Sequence, residues 1–188
     1  MTGRSATDDD LATGRGSLDG GPTPGRPVTG GAPVGPPEVG TRAPALGLTD
    51  QHGQTITLAD YHGDRAVLVV FYPFAFSRVC GSELQALHQA VDDFQNDHVQ
   101  LLAVSCDALY SLRAYADGEG FAFPLLADHW PHGAAARAYG VFDEARGCAV
   151  RGTFLIDPQG IVRWSVVNGL ADARDIDEYR AAIAAAGL

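Results

Sequence analysis

The 188-residue chain has no lysine, one methionine and only three cysteines. All thirteen basic residues are arginine, an absence to which no function attaches. Cys80, Cys106 and Cys148 are an odd number, and no two of them form a Cys-x-x-Cys pair. A secreted disulfide framework uses a denser, even set, so this scarcity predicts a reducing compartment, the cytoplasm. No apolar run approaches the roughly 20 residues that a membrane helix requires, and no apolar stretch follows the first charges as a secretory signal would need. Positive charge is also scarce. With 23 acids against 13 bases the formal charge is −10, which argues against nucleic-acid backbones and anionic membrane surfaces as partners. Glycine-rich phosphate loops and a serine-hydrolase elbow are missing too.

Six histidines raise the question of a metal. His129 and His132 are three apart, but Trp130 and Pro131 intervene and no cysteine or acid completes a ligand set. His52, His62, His88 and His98 read as loop or exposed helix positions, and His132 as structural. No metal and no organic cofactor are expected.

What is present is a globular composition, 46% hydrophobic and 19% charged, in a chain long enough for one domain with a substantial core. Residues 1–40 stand apart. They hold ten of the 23 glycines and six of the 11 prolines, with only scattered aliphatics, and burial cannot offset their ordering entropy. The expectation is a disordered extension, either a docking tail or a segment without function, ahead of a folded domain at 41–188.

Within that domain strands and helices alternate. Thr55–Leu58 reads as a short strand and Tyr61-His62-Gly63 as a turn. Ala66–Tyr72 and Val99–Ser105 are continuously apolar, as in central strands covered on both faces. Between them Leu84, Leu87, Val91 and Phe94 recur at helical spacing. Leu109–Ala116 reads as a helix stopped by Gly118 and Gly120; Phe121–Leu126 is extended, and its Pro124 suggests an edge. Pro131 suits the first position of a helix through Ala134–Tyr139 with Gly140 as its stop. Gly152–Asp157 and Ile161–Val167 flank the turn Asp157-Pro158-Gln159-Gly160, and Asp175–Ala185 closes the chain as a helix. The order predicts an α/β fold, a central mixed sheet flanked by helices, in a thioredoxin-like architecture.

Cys80 sits where the first apolar strand gives way to a helix. A thiol there meets unpaired N–H groups and the positive end of the helix dipole, which favour an anionic sulfur. Taken alone, a free cysteine is usually a small buried hydrophobe. Here Pro73, Ser77 and Cys80 spell Pro-x-x-x-Ser-x-x-Cys, and Arg151 opens Arg-Gly-Thr-Phe downstream. Both stretches resemble peroxiredoxin motifs, the second the segment that carries the active-site arginine. The resemblance implies the breaking of a peroxide O–O bond, for which these residues can supply a nucleophile, donors that hold the peroxide, and positive charge for the departing oxygen. Cys80 would attack. Ser77 and the amides of Val79 and Cys80 would bind, and Arg151 would polarise. Pro73, lacking an N–H, would wall the pocket. Glu83, three residues after Cys80 on the same helical face, would orient the arginine. Arg78 adds to the field or faces water.

The two motifs resemble those of peroxiredoxins. Phe-Pro-Leu-Leu-Ala-Asp at 123–128, Trp-Pro-His-Gly at 130–133 and Tyr-Gly-Val-Phe at 139–142 are similar to the one-cysteine alkyl hydroperoxide reductase E branch, across nearly all of 41–188. Ser77 stands where threonine is commoner, which keeps the hydroxyl and loosens its rotamer. The resemblance implies a thioredoxin-like peroxiredoxin fold, a thiol-dependent peroxidase working through a sulfenic acid, a homodimer, and no cofactor. It also frames recycling. Position 85, a resolving cysteine in one subgroup, is glutamine here, and the C-terminal resolving cysteine of the typical two-cysteine group is not found. Cys106 and Cys148 remain possible resolving thiols, each with a core reading beside it. An external small thiol or redoxin-type protein is the expected reductant. The rival enzyme, a thioredoxin-like disulfide reductase, is weakened by Gly81, Ser82 and Glu83 where a second cysteine would stand. A redox sensor or holdase signalling through Cys80 is the rival of another class.

Overall fold

The computed structural model describes residues 35–170, 172 and 174–188, so residues 1–34 of the expected extension lie outside the described residues. The apolar run Ala66–Phe71 forms β3, every residue of it buried, and Val99–Ser105 forms the equally buried β4 beside it, in parallel register from Ala66↔Val99 to Phe71↔Val104. On the other side β3 pairs antiparallel with β8 (Arg151–Ile156), which turns at Asp157–Gly160 into β9 (Val162–Asn168). Asp157 makes that turn: its Oδ1 accepts the N–H groups of Gln159 and Ile161, each at 2.9 Å. With β1 (Gly47–Asp50), β2 (Thr55–Thr57) and β5 (Leu125–Ala127) the sheet order is β2-β1-β5-β4-β3-β8-β9. A separate ribbon pairs β6 (Phe142–Asp143) with β7 (Cys148–Ala149).

Two-residue alternation along β3 builds two cores. Ala66, Leu68, Val70 and then Tyr72 face one side, packed with Leu84 and Leu87 of α1 (Arg78–Gln89), Leu112 of α3 (Leu109–Glu119) and Tyr179 of α5 (Ile176–Ala185). Val67, Val69 and Phe71 face the other, with Ala135 and Ala136 of α4 (Ala134–Ala138), Tyr139 and Phe154. This is the mixed sheet between helical layers that the element order predicts.

Four local expectations are corrected. Pro131 is not the first residue of its helix, because Gly133 is the N-cap and α4 starts at Ala134. The helical spacing through Phe94 spans a break: α1 ends at Gln89, Ala90 leaves helical geometry, and a new turn, α2 (Val91–Phe94), starts with Asp92 and Asp93 where its dipole favours acids. Gly118 stays inside α3, and Gly120, at φ +75°, is the stop. The extended segment after Phe121 is not at an edge. Pro124 lies just before β5 and its carbonyl accepts from Ala103 N–H at 3.0 Å, while β1, unanticipated from sequence, covers the other side of β5. Gly140 does stop its helix, at φ +64°, and a Cβ there would lie 2.2 Å from the carbonyl carbon of Gly35.

Phe154 is fully buried against Phe71 and Tyr139, with ring centroids 6.0 and 5.0 Å away. Truncation to alanine should cost about 3–5 kcal/mol, read as a lower urea midpoint at unchanged m-value.

Candidate active site

β3 delivers its chain end to the site. Tyr72 still donates to Val104 O at 2.9 Å, and beyond it the loop is pinned to the end of β4: Asp107 Oδ2 accepts both Ala75 N–H and Ser105 Oγ–H at 2.8 Å. Phe76 turns the chain at φ +62°, a left-handed conformation unusual for a phenylalanine, and the helix begins two residues later. Ser77 is the N-cap of α1, its Oγ accepting from Cys80 N–H at 3.4 Å. Of the two amides expected to face a peroxide, that of Cys80 is therefore already committed. The Ser77 hydroxyl keeps its own proton to donate outward.

Cys80 is 1% exposed, at the base of a small open pocket lined by Pro73, Phe74, Ser77, Val79 and Arg151, with Leu170 on the far wall. Arg78 contributes to the rim from an exposed position. Arg151, Thr153 and Leu155 share one face of β8, the face toward α1 and α5, because alternate strand residues point the same way. Arg151 is 2% exposed and fully engaged. Its Nη2 donates to Cys80 Sγ at 3.5 Å, its Nε to Leu170 O at 2.9 Å, and its Nη1 is paired with Glu83. The structure thus brings Pro73, Ser77, Cys80, Glu83 and Arg151 to one place.

One residue at this site escapes the sequence reading. Arg174, 8% exposed, approaches Glu83 from the connection before α5. Its backbone N–H donates to Glu83 Oε1 at 2.8 Å and its Nη2 lies 3.3 Å from Oε2. Its Nη1 reaches Phe71 O at 2.8 Å and Thr153 Oγ1 at 3.0 Å, so it also ties β3 to β8. An arginine ahead of an amphipathic helix reads as solvent-facing, and only the tertiary fold turns it inward.

The charge count follows. Two guanidiniums and one carboxylate sit together with almost no solvent, an excess of one positive charge. A buried excess charge is costly unless it is balanced. The Cys80 sulfur, in contact with Arg151 Nη2, faces that positive charge.

The other two thiols have no such partner. Cys106 follows β4 and is buried, and burial, ahead of the smaller effect of Asp128, pushes it up to about 12. Cys148 in β7 is fully buried and is raised mainly by burial, then by Asp143. All three cysteines are free. His132 Nε2 bonds Gly147 O at 2.8 Å and His129 Nδ1 lies 3.4 Å from Cys106 O; among the described residues no group of three or more metal-ligating side chains is gathered.

Replacing Glu83 with glutamine leaves two buried guanidiniums without their counter-charge, and should destabilise the fold by about 3–5 kcal/mol in urea titrations. The Cys106 shift has a definite sign. An unfolded thiol releases its proton near 9.0 and the folded one near about 12, so the folded state holds more protons in that window and stability falls as pH rises through it. Thermal midpoints should drop less steeply there in Cys106→Ala.

Comparison with known proteins agrees with this geometry. Residues 39–165 match the model of the AhpC/TSA family. Alkyl hydroperoxide reductase E of Mycobacterium tuberculosis is 43% identical over 147 residues, covering 78% of this chain and 96% of its own length. Peroxiredoxin 1 of Brugia malayi is 34% identical, covering 80% of this chain and 68% of its own. Among solved structures, the reduced 2-Cys peroxiredoxin of Plasmodium vivax superposes with a TM-score of 0.73 at 31% identity, over 81% of this chain and 83% of that one. Peroxidoxin BcpB of Mycobacterium tuberculosis gives 0.70 at 25%, over 78% and 96%. The family match over residues 39–165, the 43% identity to a relative spanned over 96% of its length and the shared fold make the chain a member of the AhpC/TSA family, a peroxiredoxin and a thiol-dependent peroxidase.

Proposed function

We propose that Cys80 is the peroxidatic nucleophile, and that the contact carrying this assignment is Arg151 Nη2 to Cys80 Sγ at 3.5 Å within the Glu83–Arg174 cluster. The anionic sulfur attacks the nearer peroxide oxygen. The S–O bond forms as the O–O bond breaks, sulfur gives up two electrons, and the departing alkoxide or hydroxide takes a proton from solvent to leave as alcohol or water, while peroxynitrite releases nitrite. Ser77, whose proton is free to donate, holds the peroxide, and Arg151 stabilises charge on the departing oxygen. Pro73 walls the sulfur without competing for hydrogen bonds. Glu83 and Arg174 act through Arg151 by fixing its plane.

Hydrogen peroxide, organic hydroperoxides and peroxynitrite are the substrates we assign. Phe74, Val79 and Leu170 give the pocket apolar walls suited to an organic group, and Phe74 is 44% exposed at the rim. The Cys80 sulfenic acid is reduced by an external small thiol or a redoxin-type protein. Burial and raised thiols disfavour Cys106 and Cys148 as resolving partners. We assign the cytoplasm as compartment and a homodimer as assembly, with the catalytic domain spanning residues 41–188. Among the described residues no helix is long and apolar enough to cross a membrane.

Competition kinetics with hydrogen peroxide test the assignment. Wild type should outpace free cysteine by orders of magnitude, Cys80→Ser should fall to background, and Cys106→Ser and Cys148→Ser should keep the wild-type rate. Activity that survives without Cys80 overturns it. Arg151→Gln should slow attack by about 10²–10³-fold, the loss typical of a single transition-state donor. After one equivalent of peroxide, intact mass should rise by one oxygen atom; a loss of two hydrogens would instead show an internal disulfide.

A further inference from the structure

A second recess lies at the other end of the sheet, where β3 begins and β8 ends, and the peroxidase chemistry makes no use of it. Its volume of about 320 Å³ falls at the lower end of the roughly 300–1,000 Å³ of small-molecule sites. The floor is apolar. Val67 and Ile156, register partners across β3 and β8, are 2% and 1% exposed, and Ala43 and Leu58 pack on the same core.

The rim is cationic. Arg42, Arg65 and His62 line it, with Tyr61 between floor and rim. Arg42 is exposed and makes no ion pair or side-chain hydrogen bond with a described residue. Arg65 holds its guanidinium 5.2 Å from the Tyr61 ring centre and pairs with Asp64 at 3.2 Å, an ion pair whose acid is 71% exposed and therefore weak. The nearby acids are otherwise occupied. Asp157 gives Oδ1 to two backbone amides and Oδ2 to Arg163 Nε at 2.6 Å, and Asp60 Oδ2 accepts from Thr57 N–H and Oγ1–H. On a chain of net charge −10 most of the surface repels anions, so two guanidiniums over an apolar floor single this place out.

We propose that the recess binds a medium-chain aliphatic monocarboxylate, with the hydrocarbon against Val67 and Ile156 and the carboxylate at the Arg42 and Arg65 rim. The assignment is independent of the role of Cys80. Affinity comes from burying the chain, and selectivity from charge-assisted hydrogen bonds at the rim.

Calorimetric titration of the full-length protein with decanoate, decanol and acetate tests it. Decanoate should bind saturably at one site, and decanol and acetate should bind much more weakly. Arg42→Glu should weaken decanoate at least about tenfold, the size of one lost charge-assisted contact. Ala59→Trp, which fills the recess from an exposed position on its wall, should abolish decanoate binding. Both variants should keep the wild-type peroxide rate, which shows that they are folded. Equal affinity for decanol, no binding of decanoate, or undiminished binding in either variant would overturn the proposal.

Discussion

Glu83 between Arg151 and Arg174 is the interaction on which the site depends. It comes from the first turns of α1, while its partners come from the start of β8 and from the connection before α5. One carboxylate therefore joins three elements far apart in sequence. A buried ion cluster of this kind is weak evidence for stability, because desolvation offsets much of its attraction. Its value lies in geometry. Arg151 has each donor group assigned, one to Glu83, one to Leu170 O and one to sulfur, so its plane has little freedom left.

The remaining features serve the presentation of that sulfur. The end of β3, the Asp107 anchor and the turn at Phe76 bring Ser77 to the N-cap, which sets the helix start and with it the position of Cys80. The neighbouring Tyr115, itself buried, places its hydroxyl 3.6 Å from where a side chain at Gly81 would begin, an ordinary packing distance. Two thiols elsewhere in the fold are held protonated by burial, in contrast to one brought against a guanidinium.

Much of this was legible in the sequence. Val99–Ser105 and Ala66–Phe71 stand out because strands buried on both faces must be continuously apolar, and the Asp157–Gly160 turn announces its hairpin. Pro73, Ser77, Cys80 and Arg151 were readable because each lies in a motif with a local meaning, and Glu83 because it falls on the Cys80 face of the helix. β1, β6 and β7 were not, since strands of two to four residues gain their identity from partners distant in the chain. Pro124 misled for a related reason: a proline just before a strand removes no ladder hydrogen bond, so the strand can lie inside the sheet. Arg174 was hidden because nothing in its neighbours signals burial, and its acceptors, Glu83, Phe71 O and Thr153, are assembled only by the fold.

The connection between β9 and α5 supplies both Leu170 O and Arg174 to the cluster. The plane of Arg151 beside Cys80 is thereby tied to the segment that leads into the last helix. Displacing that connection would take away the Leu170 contact that holds Arg151 and the second guanidinium on Glu83 together.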